Sequence, residues 1–322
     1  MKTRNLLAVC TTLCALVLWL GEYGLALAQP PYVLSWGGHG GAPGQFSGLH
    51  YIAVDGTGHV YTGEWYNLRI QEFESRGTAV RVWAPGGGDI SINSSIGRLY
   101  SNYGDAILVY DLQGHPVGGW GSTGSGPGQF KNPQGVAVGP NGNVYVLDSG
   151  NARIQYFTSD GGYLGRSPEA IPPFVACSPG VVTGLSTSIA VDDSGNVFVA
   201  QYSPAFSHCD RIDKFTPDCT FIKEWYVNDV RGMATDHSGH LYLARSGSGY
   251  SAVDRYTTQG TYEWSVGSLG SGPGQFDAYD VAVDGFGNIF VADFGGDHVV
   301  VYGTLATPTP ETTWGALRRR YR

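Results

Sequence analysis

Charge is scarce in this chain of 322 residues: Asp, Glu, Lys and Arg make up 14%, and the balance is acidic, 27 Asp and Glu against 19 Lys and Arg. An acidic body without clustered cations is a poor partner for nucleic acid, whose phosphates demand them, so no nucleic-acid partner is expected. Long apolar runs are almost absent too. The one that exists, Leu6 to Leu20, follows Lys2 and Arg4 and gives way to Gly21, Glu22 and the small triplet Ala26 to Ala28. That is the pattern of a secretory signal cut before Gln29 rather than of a membrane span. Residues 1–28 are therefore expected to be a signal peptide and the protein to be secreted, either extracellular or in the cell envelope or periplasm. Cysteine is sparse: Cys10 and Cys14 would leave with the signal, and Cys177, Cys209 and Cys219 remain, one pair and one spare. No Gly-rich stretch runs into a GK[ST] ending, and no nucleophile elbow or Ser, His and Asp set is evident, which removes the commonest phosphate-binding and acyl-transfer signatures.

What the chain has in abundance is glycine, 49 residues, with 13% aromatics and 17 Pro, the composition of many short strands joined by turns. The stretch GSGPGQF occurs at Gly124 to Phe130 and at Gly270 to Phe276, with a near copy, GGAPGQF, at Gly40 to Phe46. Aligned on it, six copies of a longer unit emerge: an alternating apolar strand, a glycine turn, and further strands, the third ending in an aromatic. The turn glycines Gly58, Gly97, Gly142, Gly195, Gly239 and Gly287 are 39 to 53 residues apart, the period of a propeller blade. The fold predicted is all-β: a six-bladed β-propeller of four-stranded antiparallel blades over 29–302, followed by a Thr/Pro spacer and basic tail over 303–322. Five blades find an outer strand downstream. The sixth does not, and the stretch from Pro31, PYVLSWGG, is expected to supply it and close the ring, which removes open sheet edges. In this arrangement GPGQF is a joint, its glycines permitting the crossing between blades and its Phe plugging the gap. Asp192, Asp236 and Asp284, in a D-x-x-G setting, read as Asx-turn acceptors rather than calcium ligands.

The third copy, VAVGPNGNVYVLDSGNARIQYF, resembles an NHL repeat, as do the first and sixth, IAVDGTGHVYTGEWYNLRIQEF and VAVDGFGNIFVADFGGDHVVVY; the other copies match mainly by register. The resemblance implies a binding or interaction propeller whose ligand sits at one mouth of the central channel. Register places two rings of residues there. The first, just before each inner strand, is His50, Gly88, Gln134, Thr187, Arg231 and Tyr279; the second, closing each second strand, is Glu64, Tyr103, Asp148, Gln201, Arg245 and Asp293. The loops beyond add Trp65, Tyr66, Tyr202, Tyr250, Phe206 and Phe294 to the rim, a surface suited to a protein, peptide or carbohydrate ligand. The ligand-binding set expected is His50, Glu64, Trp65, Tyr66, Tyr103, Gln134, Asp148, Tyr202, Arg231, Arg245, Tyr279 and Asp293, although Asp148 with Arg153 and Glu64 with Arg69 read first as ordinary ion pairs within a blade. The alternative is a metal-dependent lyase or a lactonase-like or esterase-like enzyme using the channel. Zinc-dependent propellers similar to the amidating lyase use histidines from several blades, and the first ring offers only His50. Calcium could use Glu64, Asp148 and Asp293, but Arg231 and Arg245 stand in the same mouth. No cofactor or metal is therefore expected. A disulfide is predicted between Cys177, in the long link into the fourth blade, and Cys209, in that blade's long loop, because Cys219 falls at the opposite end of the blade. The basic tail, with Arg318 to Arg320 and Arg322, is a candidate contact for envelope or sorting machinery.

Overall fold

The computed structural model describes residues 28–168, 186–202 and 210–305. The expected signal peptide, the basic tail, and both Cys177 and Cys209 of the predicted disulfide lie outside the described residues. Six four-stranded antiparallel sheets form a six-bladed β-propeller. The innermost strands, one per blade in chain order, are Leu49–Val54, Ile90–Asn93, Gly135–Val138, Ser186–Val191, Val230–Thr235 and Ala278–Val283. Blades are numbered here from the one that begins at Leu49.

The ring closes as the missing sixth outer strand requires. Tyr32–Gly37 pairs antiparallel with His298–Tyr302 of blade 6, Ser35 opposite Val300 and Trp36 opposite Val299. Beyond the strand, Gly303 N–H donates to the Pro31 carbonyl. The outermost strand of blade 6 thus comes from the beginning of the described chain, and no separate device is needed to hold the two ends.

Each inner hairpin is set by local chemistry. In blade 1 the Asp55 carboxylate accepts from the backbone N–H of Thr57 and His59 at 2.8 and 2.9 Å, while Gly58, at φ +89°, donates back to the Asp55 carbonyl. Asp192, Asp236 and Asp284 make the same pair of bonds, the Asx turn that D-x-x-G predicts.

The core lies between blades rather than at one centre. Phe46, Leu49 and Phe73 of blade 1 pack with Phe290, Val299 and Val301 of blade 6; Tyr100 and Ile107 of blade 2 pack with Phe130, Val136 and Phe157 of blade 3. The three GQF phenylalanines, Phe46, Phe130 and Phe276, are completely buried, and burial of such a side chain contributes about 1.5–3 kcal/mol. Each lies against a glycine ending the preceding outer strand. At Gly121, with φ +109°, a β-carbon would come within 2.7 Å of the Phe130 ring, so glycine is required there both by the turn and by the ring.

Candidate functional site

The inner strands do not run straight into the channel mouth. In blades 1, 4, 5 and 6 the pairing with the second strand skips one residue, between Leu49 and Tyr51, Ser186 and Ser188, Val230 and Gly232, and Ala278 and Asp280. The skipped residues are His50, Thr187, Arg231 and Tyr279. Four of the six first-ring positions are therefore β-bulge residues inside the inner strand, not residues preceding it. A bulge re-aims the side chain it carries, and repeating it at one level of four blades gathers those side chains at the mouth. Blades 2 and 3 pair without this bulge; Gln134, half-buried, donates its N–H to the Leu147 carbonyl.

His50 is the centre of an aromatic cluster. Its ring lies 4.2 Å from Tyr279, 4.9 Å from Phe294, 5.9 Å from both Tyr51 and Trp65, and 6.5 Å from Tyr66, measured between centroids. Burial lowers its pKa, so the ring is neutral at physiological pH. The Gly48 carbonyl, 2.8 Å from Nδ1, can only accept, so Nδ1 carries the proton and Nε2 is the ring's acceptor. Around this buried centre the rim is open: Trp65 is 53% and Tyr66 66% exposed, and Phe294 is also exposed. Arg231, exposed, rests its Nε 3.2 Å from the Ser246 carbonyl and stands close enough to Tyr279 to bias its ionisation. Burial nevertheless holds the Tyr279 phenol neutral, above its ordinary pKa. Aromatic faces and one cation thus share the wall shared by blades 5, 6 and 1.

The second ring is placed differently. Glu64 and Asp148 have no exposed surface; they lie inside blades 1 and 3 and organise the GQF loops. Asp148 Oδ2 accepts from Arg153 Nε at 2.8 Å, and the Arg153 guanidinium donates onward to the carbonyls of Ser125, Gly126 and Gln129. Asn151 holds the Gly124 carbonyl, and Lys131 N–H donates to Asp148 Oδ1. Glu64, Arg69, Asn67 and Gln71 repeat the set on the loop from Gly40 to Gln45. The N-x-R-I-Q motif is thus a clamp for the preceding GPGQF loop, with the carboxylate as its anchor. In blade 6 the arginine position is His298, 3.2 Å from Asp293, and burial raises the Asp293 pKa. Arg245 is engaged within blade 5 by Asp254 at 2.5 Å, the Asn228 carbonyl and the Tyr250 hydroxyl. Tyr103 and Tyr202 are exposed, on blades 2 and 4, away from the His50 cluster.

One layer was not anticipated. Immediately inside the bulge ring, Asp89 and Asp280 line the channel, and Tyr51 between them packs with Tyr61, Ile70 and Ile90. Asp89 accepts from its own neighbour Ile90 and, across the blade boundary, from Val136, at 2.9 and 2.8 Å; Asp280 does the same with Val281 and Ile52, at 2.8 and 3.0 Å. Burial drives the Asp89 pKa up to about 7 despite those bonds, and burial together with the Asp89 charge raises Asp280 well above the usual carboxylate range. The sequence signal was present, one position beyond the ring predicted: GGDISI and AYDVAV each put an Asp one step further into the strand.

Cys219 is buried, and burial pushes its thiol up to about 12; it has no disulfide among the described residues. Also among the described residues, no three His, Cys, Asp or Glu side chains are grouped to hold a metal ion, and no helix is long and apolar enough to cross a membrane.

Comparison with known proteins agrees with this architecture. The NHL repeat profile matches residues 130–157, the heart of blade 3. A protein of unknown function from Bacteroides thetaiotaomicron superposes with a TM-score of 0.63 at 17% identity, covering 85% of this chain and 76% of its own. Virginiamycin B lyase from Staphylococcus aureus gives 0.51 at 15% identity, over 81% and 85% of the two chains. Regucalcin, a calcium-binding protein from Agrobacterium tumefaciens, gives 0.53 at 13%, over 83% and 94%. At these identities the likeness is one of fold.

Proposed function

We propose that this chain, a six-bladed β-propeller of the NHL-repeat type, is an exported binding module that receives an extended ligand, a peptide or a glycan, across the His50 mouth. The observation that carries the reading is the exposure of Trp65 and Tyr66 around a neutral, buried His50 with Arg231 alongside. Large aromatic faces left open beside a cation are costly to leave in water and well suited to contact a partner. Glu64, Asp148 and Arg245 act behind this surface by holding loops; Trp65, Tyr66, Tyr279 and Arg231 meet the ligand. Export is supported by the basic start, the Leu6 to Leu20 run and the Ala26 to Ala28 triplet; N-terminal sequencing of protein secreted by an expression host should begin at Gln29.

A peptide and glycan array probed with the purified protein tests the binding reading. A hit should weaken by tenfold or more, about 1.4 kcal/mol, in Trp65→Ala or Arg231→Ala, with melting temperature preserved. Hits indifferent to both substitutions would remove this mouth as the site.

A further inference from the structure

The layer just inside the mouth takes one residue per blade, from the inner strand or, in blade 2, from the residue before it: Tyr51, Asp89, Gly135, Ser188, Gly232 and Asp280, in blade order. Within this layer the side chains with acceptor oxygens that line a channel cavity of about 180 Å³ come from alternate blades: Asp89 from blade 2, Ser188 from blade 4 and Asp280 from blade 6; the deeper hydroxyls of Ser91 and Thr235 are already bonded to Val138 N–H and to the Val191 carbonyl. Two of the intervening positions are glycine. A β-carbon at Gly232 would lie 2.2 Å from Asp280 Oδ1, and one at Gly135 would lie 3.4 Å from Asp89 Oδ2 and 2.8 Å from the Ile189 side chain. The glycines keep space open where the carboxylates reach. Tyr51, edge-on to Tyr279 with ring centroids 5.9 Å apart, occupies the position between the two acids.

The carboxylates each accept two backbone N–H groups, which leaves further lone pairs on all four oxygens. Ser188 is a different case. It is 8% exposed, lines the same cavity, and its hydroxyl makes no hydrogen bond among the described residues. That hydroxyl is left open to the cavity, with its lone pairs available to a ligand donor. We infer that the cavity binds a primary ammonium group, whose three N–H donors match three acceptors arrayed around the channel axis on alternate blades, Asp89, Ser188 and Asp280. This rests on the binding reading above and sharpens it: the ligand of the mouth carries a free amine, as a peptide N-terminus, a lysine side chain or an amino sugar does. The ammonium enters the channel, and the remainder of the ligand lies on Trp65 and Tyr66 beside Arg231. Burial of the acid pair also fits, since it disfavours two uncompensated negative charges in the channel and an entering cation supplies the compensation.

The test uses propylammonium chloride as probe at pH 8, followed by thermal unfolding and titration calorimetry, with tetramethylammonium chloride and calcium chloride at equal ionic strength. Propylammonium should raise the melting temperature by about 2–4 °C at several times its dissociation constant, and tetramethylammonium, a cation without N–H donors, should not. Asp280→Asn, which keeps an acceptor oxygen for the backbone but loses the charge, should abolish the effect. Ser188→Ala sacrifices no hydrogen bond of the protein and should weaken propylammonium binding about tenfold, as loss of one bond to a charged group does. An equal response to tetramethylammonium, a calcium response lost in Asp280→Asn with none to propylammonium, or an indifferent Ser188→Ala would each overturn the proposal. If the amine fails while an array ligand still depends on Trp65, the binding reading stands and only the ammonium site falls.

Discussion

Five of the six joints between blades face an outer hairpin, the exception being the one into blade 6, whose outer strand comes from Tyr32–Gly37; those five fall into two kinds, and the contrast explains an oddity of the fourth blade. At four joints a tryptophan at the end of one outer strand lies over the glycine of the next blade's outer hairpin. Trp36 covers Gly77, Trp83 covers Gly114, Trp120 covers Gly161 and Trp225 covers Gly260; a β-carbon at any of these glycines would come within 2.7 Å of the indole. At the joint between blades 3 and 4 both halves change together. Ser167 stands opposite Ile154, where the other strands place Trp83 opposite Ile70 and Trp120 opposite Ile107. The hairpin of blade 4 then carries Cys219 at the glycine position, at φ +63° and with the same backbone bond to Thr216 that Gly161 makes to Thr158. The Cys219 side chain is buried in the cluster that holds Tyr145 and Phe215, with Tyr156 packed against it. The lesson is that the glycine of this hairpin answers to its neighbour as much as to its own backbone. Where the indole is gone, the chain accepts the cost of a left-handed cysteine, about 1–2 kcal/mol, and fills space that would otherwise be void.

The largest effect expected from breaking this contrast is removal of an indole. Trp120→Ala should destabilise the protein by about 3–5 kcal/mol, read as a lower urea midpoint. A loss below about 1 kcal/mol would show that the stack is not a structural joint. The clamp of blade 3 comes next: Arg153→Ala strips the buried Asp148 of its charge partner and should cost about 3–5 kcal/mol, whereas His298→Ala in blade 6, where the partner is a histidine, should cost less in the same urea series. Gly161→Ala should cost about 2 kcal/mol, through both positive φ and contact with Trp120. Cys219→Gly, the reverse change at the joint without an indole, should move stability by less than Gly161→Ala does, because relief of backbone strain offsets lost packing. Equal losses at the two sites would end the comparison.

The smallest effect lies in the channel and follows pH. The folded pKa of Asp89 is raised to about 7 from 3.8, and that of Asp280 is raised as well. The native state therefore holds protons that the unfolded chain has released, so these groups make stability fall as pH rises from about 5 to 8. Tyr51 and Tyr279, which face them, stay neutral throughout this window because burial raises both phenols. Asp89→Asn should flatten the dependence, checked by urea unfolding at pH 5.5 and 8. A variant with the wild-type pH profile would show that Asp89 does not carry the proton.

Much of this protein could be read without its structure because its repeats are local. A D-x-x-G turn closes on its own carboxylate within four residues, and β-branched alternation sets each strand. The lone missing outer strand of blade 6 could only be met by the stretch from Pro31, since an antiparallel ring leaves no other vacancy. The mouth was legible in part. Counting register put His50, Arg231 and Tyr279 at one end of the ring, but it could not tell that they sit on bulges, or that Glu64 and Asp148 turn inward to hold the GPGQF loops.

Sequence by itself determined the blade count and the closure, because those follow from hydrogen bonding and periodicity within a few dozen residues. Tertiary structure alone decided which side chains share the axis. Asp89, Ser188 and Asp280 are separated by about a hundred residues at each step. They meet only because six inner strands converge on one channel, where one residue of bulge determines which side chain faces it.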